Sequence, residues 1–264
     1  MKSFAKTAFI FLAATWVSIW GVSYIPLDKL PFGHYWDALL YHAMCALLWL
    51  LIIRLFTPSV KSRLTLRMSR KRLIAACIVI AFFVTPNFRG ASWAGNSLVN
   101  ILSALLFALF IGLNEDLFSR GFIYGLLERY GVAVASVIQA IHFGALHFTN
   151  YVWGGQSLSY TSAQMVNAAA FGYLCCGLMI FTGSIWVPLL LHGLSDFPLE
   201  LKSQAAFTAQ VTGGADWFGT VVEALLMIVV GWLLIYGPRS AWQKRLEPVL
   251  DWAGLVDLTK FSDC

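Results

Sequence analysis

Charge is what this chain has least of. Only 12% of its 264 residues are Asp, Glu, Lys or Arg, about half the roughly 25% typical of a soluble globular chain. With 59% hydrophobic residues, eleven Trp and twenty Phe, such a chain argues against a soluble fold and for a multi-pass membrane protein. Cysteine is sparse too. The five, at positions 45, 77, 175, 176 and 264, have no metal-type spacing and imply no disulfide framework. They are expected to be small buried hydrophobes. No repeat, low-complexity tract or soluble domain is visible, so residues 1–264 are read as one integral-membrane domain.

What the chain has instead is apolar runs. Eight reach or approach the roughly 20 residues that cross a bilayer: 5–25, 38–56, 72–86, 97–128, 132–149, 162–182, 184–199 and 217–236. The third and seventh are short. Lys2 and Lys6 precede the first run, but no small-residue cleavage site follows. It is expected to be a retained helix rather than a signal peptide. The expected fold is an all-α polytopic bundle of about eight transmembrane helices around an enclosed polar site.

Lys and Arg set the expected orientation. Seven of them lie between Arg54 and Arg72. With eight spans, these share a side with Lys2, Lys6, Arg120, Arg129 and the basic residues of the tail, leaving only Lys29, Arg89 and Lys202 opposite. Both termini should be cytoplasmic, in the cell (inner) membrane. The net charge of +5 then describes a face lying against the anionic lipid bilayer, not a nucleic-acid site. In the tail, 238–264, Leu246, Val249, Leu250, Ala253 and Val256 recur at helical spacing, as in an interfacial helix on the cytoplasmic surface.

Against this background the stretch "GLNEDLFSRG", residues 112–121, needs an explanation. An ionisable residue at membrane depth costs roughly 2.5–3.5 kcal/mol on insertion scales and is kept where it faces protein or water with a partner. On a helix, Asp116 and Arg120 stand about 40° apart and can pair, whereas Glu115 lies about 140° from Arg120. One acid is neutralised locally and the other is left to act. Taken alone, the cluster also fits a plain cytoplasmic helix end.

Two further helices bring proton-handling groups. "VASVIQAIHFGALHFTN" holds His142 and His147, five residues apart and so on different faces. "IWVPLLLHGLSDFPLEL" holds His192 and Asp196, four apart on one face. If the fourth helix continues through Arg120 to Glu128, Glu115 and His147 stand about 20 and 22 Å above the inner boundary. His192 and Asp196 then stand about 12 and 18 Å above it. A common polar site is the expected consequence.

The ordered motifs Glu115-Asp116-x-x-x-Arg120, Phe143-x-x-x-His147 and His192-x-x-x-Asp196 resemble those of the CPBP family of intramembrane proteases. That family includes the type II CAAX prenyl endopeptidases and the Abi bacteriocin-immunity proteins. The resemblance covers about 97–200. It implies a glutamate-based endopeptidase with Glu115 as general base, His147 as its partner in activating water, and His192 and Asp196 binding the oxyanion. Asp116 and Arg120 would hold the first helix in shape. General chemistry agrees: a carboxylate and an imidazole flanking a water can divide proton removal from proton delivery to the leaving amine.

Two residues depart from the family pattern. Asp116 stands where the family has Glu, and Asp196 where an Asn is an alternative. An ionised Asp has no proton to donate to an oxyanion, so Asp196 is either protonated or instead keeps His192 charged and oriented. The expected substrate is a protein or peptide in or at the membrane. No cofactor is expected; zinc held by Glu115, His147 and His192 is the alternative, although no His-Glu-x-x-His helix exists. A non-catalytic immunity or interaction protein remains open, as does a proton-coupled transporter, though no inverted repeat is evident. His142 is read as a packing residue or a supporting group. Glu223 is left outside the site, paired across the bundle or near the outer interface. Glu200 and Lys202 are placed in the outer loop.

Overall fold

The computed structural model describes residues 2–20, 34–91, 93 and 96–237. The tail 238–264, with its expected interfacial helix, lies outside the described residues, as do residues 21–25 of the first apolar run. Every regular element among the described residues is helical. In chain order these are α1 (Lys2–Trp20), α2 (His34–Phe56), α3 (Pro58–Lys61), α4 (Arg70–Val84), α5 (Leu98–Asp116), α6 (Tyr124–Leu127) and α7 (Val132–Leu146). They continue with α8 (Thr149–Val152), α9 (Leu158–Thr182), α10 (Trp186–Glu200), α11 (Gln204–Thr212) and α12 (Trp217–Tyr236).

Six helical stretches among the described residues are long and apolar enough to cross a membrane: Ala38–Phe56, Arg70–Phe88, Leu98–Tyr130, Val132–Val152, Leu158–Thr182 and Trp217–Tyr236. The other two expected runs are shorter within the described residues. The apolar part of α1 described here, Ala5–Val17, is short. The run 184–199 folds as α10, whose 15 residues reach only about 22 Å, less than the roughly 30 Å hydrocarbon core. Hydropathy cannot separate a short helix wrapped in protein from one wrapped in lipid. In α10, Val187, Leu189, Leu191, His192, Gly193 and Phe197 are all buried.

The fourth span continues past Arg120, as expected, but not as a plain α-helix. Ser97 caps α5 by accepting from Asn100 N at 3.2 Å. At Leu117 the backbone widens into a π-helix, Leu117–Ile123, before α6 and a 3₁₀ turn over Glu128–Tyr130. All seven π residues are buried, in keeping with the tendency of π turns to occur at functional sites. The basic loop after α2 anchors this end. Arg63 forms an ion pair with Glu128, and Tyr124 Oη donates to Glu128 Oε1 at 3.2 Å.

α9 is the central helix. It packs on α7, α10 and α12, and Cys175 and Cys176 are fully buried in it. Both are free thiols, as are Cys45 and Cys77. Large side chains such as Leu47, Leu51, Leu98, Leu102, Leu225 and Val229 are exposed and form the lipid-facing shell that a bilayer solvent permits.

Candidate active site

Two glycines let α10 approach α5. A Cβ at Gly112 would stand 2.9 Å from Gly193 N and 3.2 Å from Leu189 O. A Cβ at Gly193 would stand 2.8 Å from Leu109 Cα. Small residues at a helix seam allow backbones to touch, and this seam carries His192 to the end of α5.

There His192 meets three carboxylates. Its Nδ1 lies 3.2 Å from Asp116 Oδ2, and its Nε2 lies 3.7 Å from Glu115 Oε2 and 3.4 Å from Asp196 Oδ2. The i,i+4 pair read from the sequence is present, with Arg120 Nη1 and Asp116 Oδ1 3.0 Å apart and both side chains fully buried. Asp116 therefore bridges Arg120 and His192. Sequence spacing gave it only the first of these partners. Glu115 keeps 35% of its side-chain surface open, and no ion pair joins it to Arg120 among the described residues.

His147 caps α7. Its backbone N–H bonds Gly144 O at 3.1 Å, so the final turn is tight. Its Nδ1 lies 3.0 Å from Phe143 O. A carbonyl only accepts, so in this contact Nδ1–H donates and Nε2 carries the lone pair. No direct hydrogen bond or ion pair joins His147 to Glu115 among the described residues. The two are related through the wall that His192 completes.

Phe143 holds the constellation together, which its place in the spacing motif only hinted at. Its ring lies under the Arg120 guanidinium at 4.1 Å. It also meets His147 edge-on at 5.1 Å and His192 at 5.7 Å. Phe171 on α9 closes the other side of His192 at 5.3 Å. His142 faces elsewhere. Its Nε2 lies 2.9 Å from Thr15 Oγ1 and its ring packs on Phe11 and Phe118. It joins α1 to α7 as a packing residue.

His147, His192 and Asp196 line a cavity of about 770 Å³, room for several residues of an extended peptide. Phe143 and Phe171 form apolar wall. Asn167, Lys202, Gln210 and Glu223 also line it. Glu223, left outside the site on sequence grounds, is thus on the cavity wall. A single acid inside the strongly apolar run of α12 was the signal for it. Lys202 lies in the connection between α10 and α11, as expected of a loop residue, and also lines the cavity, its Nζ donating to Gln210 Oε1 at 2.6 Å. Among the described residues no three His, Cys, Asp or Glu side chains are grouped as metal ligands.

Fold and site define a multi-pass helical membrane protein whose carboxylate–imidazole centre opens on a cavity. Residues 97–198 match the family model described as type II CAAX prenyl endopeptidase Rce1-like, the group that the three motifs resemble. Glu115, Asp116, Arg120, His147, His192 and Asp196 all fall within that segment. The match points to a peptidase of the CAAX-protease type. No curated protein matches the chain.

Proposed function

We propose that the protein is an intramembrane endopeptidase that hydrolyses a peptide bond of a membrane-associated protein or peptide precursor with an activated water. The observation that carries this reading is the setting of His192. One nitrogen faces the buried Asp116–Arg120 pair, and the other faces Glu115 and also Asp196, which lines the cavity together with His147 and His192.

Glu115 acts as general base, with His147 as its partner. Water gives up a proton, its oxygen bonds the scissile carbonyl carbon, and the carbonyl π electrons move onto oxygen. His192, holding a proton on each nitrogen, donates one to Asp116 and the other to the oxyanion. A donor so placed in a dry site contributes about 3–4 kcal/mol. Collapse of the tetrahedral intermediate re-forms the carbonyl and breaks the C–N bond. The leaving nitrogen takes the proton that water gave up, delivered through the Glu115–His147 couple. Asp196 acts through His192, fixing the ring rather than donating. Asp116 and Arg120 are positioning residues. No cofactor takes part. The protein lies in the cell (inner) membrane with both termini cytoplasmic.

The test is peptide-terminus profiling of membranes holding wild type or Glu115→Gln, which keeps the shape of the side chain and removes its basicity. Wild type should generate new termini that the variant does not. Equal profiles, with a biological phenotype retained by Glu115→Gln, would favour a non-catalytic immunity or interaction protein.

A further inference from the structure

The cavity has a second polar wall that the proposed chemistry leaves unused. It lies where α9 packs on α12. Glu223 stands six residues after Trp217, the first residue of α12, about 9 Å along the helix axis. Its span has mean hydropathy 2.3, and a carboxylate in such a run marks a functional position by default. The side chain turns inward to the cavity rather than outward with Val222, Leu225 and Leu226, which are exposed.

Its one hydrogen-bond partner among the described residues is neutral: Asn167 Nδ2 donates to Glu223 Oε2 at 2.8 Å. An amide orients a carboxylate without cancelling its charge. Two other charged residues on the lining have partners of their own. Lys202 Nζ is bonded to Gln210 Oε1, and Asp216 Oδ1 caps α12 by accepting from Gly219 N at 3.0 Å. No ion pair involves Glu223 among the described residues. A carboxylate held by an amide and joined to no cation by an ion pair among the described residues, in the cavity that His147 and His192 also line, complements a positive charge on whatever enters.

We propose that the Asn167–Glu223 pair is a specificity subsite that takes a Lys or Arg side chain of the substrate while the scissile bond lies at the Glu115–His192 centre. This rests on the endopeptidase reading above. Asn167 holds one carboxylate oxygen, and the substrate cation meets the other. The cavity volume accommodates both the anchored side chain and the backbone leading to the centre.

The test uses the full chain in lipid nanodiscs and paired quenched-fluorescence peptides that carry Lys or norleucine at each position flanking cleavage. Wild type should show a kcat/KM ratio favouring Lys at one position by roughly tenfold or more, the scale of one charge-assisted hydrogen bond. Glu223→Gln, whose amide oxygen still accepts from Asn167, should bring that ratio near one, and Glu223→Lys should turn it in favour of a Glu-bearing peptide. An unchanged ratio in a Glu223→Gln protein that remains monodisperse and helical overturns the inference and leaves the endopeptidase reading intact. If wild type and Glu115→Gln are equally inert, that reading fails instead. Equilibrium binding of the same Lys and norleucine peptides to wild type and Glu223→Gln then decides the subsite by itself. A Lys preference lost in the variant supports it, and no difference overturns it.

Discussion

Replacing Gly112 by Ala tests whether the α5–α10 seam sets the geometry of the centre. The added Cβ stands 2.9 Å from Gly193 N, 3.2 Å from Leu189 O and 3.3 Å from His192 Cβ. The first two neighbours are backbone, which cannot rotate away. Restoring a van der Waals separation of about 3.5 Å moves α10 back by about 0.6 Å. If His192 follows, its 3.2 Å contact with Asp116 opens beyond the roughly 3.5 Å reach of a useful hydrogen bond. The contacts to Glu115 and Asp196 lengthen with it. Overpacking costs about 1–3 kcal/mol, and the helix preference of Ala over Gly returns about 1 kcal/mol. Net destabilisation is therefore small, about 0–2 kcal/mol. Activity is more sensitive, because a misplacement of about 1 Å in a catalytic constellation costs about a hundredfold. Turnover should fall about tenfold or more while most molecules stay folded. Thermal unfolding and peptide turnover, measured on the same nanodisc samples, separate the two effects. Leu102→Ala, on the exposed outer face of α5, serves as control. Wild-type turnover in Gly112→Ala, or a loss that merely follows the unfolded fraction, would refute the reasoning.

Other perturbations follow from the same contacts. Asp116→Asn strips the fully buried Arg120 of its counter-charge and should lower stability by about 3–5 kcal/mol, read as a fall in thermal midpoint. Pairing it with Arg120→Met should recover part of that loss but not the turnover, because a neutral amide no longer supplies the charge beside His192. Phe143→Leu removes the ring beneath Arg120, worth about 1–2 kcal/mol when desolvated. It should also reduce kcat more than it raises KM, because both imidazoles lose a wall. Turnover should survive a strong zinc chelator; abolition by chelator and recovery on adding zinc would replace the proposed water activation with a metal-bound one. Arg63→Ala breaks a pair with Glu128. Because both side chains are largely buried, it should cost about 1–3 kcal/mol and leave cleavage by the folded fraction unchanged, as measured by thermal shift and peptide assay.

Much of the fold was readable from the chain, and the exceptions are instructive. Six of the eight apolar runs form helices of spanning length. The run 184–199 is a helix, α10, but at 15 residues it is shorter than a typical span, and hydropathy reports the absence of water, not the identity of what replaces it. The helix through Arg120 was also expected, but not its π turn. Widening there depends on how Leu117–Ile123 pack against α2 and α7, which no local propensity records. Glu223 was set aside because one acid in a strongly apolar helix gives no direction. Only the rotation of α12 against α9 turns it toward Asn167 and the cavity.

By itself, the order of residues determined the solvent of this protein, the helical content and the Asp116–Arg120 pair. Each depends on composition or on neighbours within about one helical turn, where geometry is set by the backbone period alone. It also determined that His142 and His147 point apart. Tertiary structure decided that Asp116 serves His192 as well as Arg120, across 76 positions of chain, and that Phe143 touches a guanidinium and two imidazoles. It also decided that a cavity joins His147 to Glu223. Those relations arise where helices cross. Crossing is governed by backbone approach at seams such as Gly112–Gly193 and by side-chain volume on facing helices, and hydropathy encodes neither.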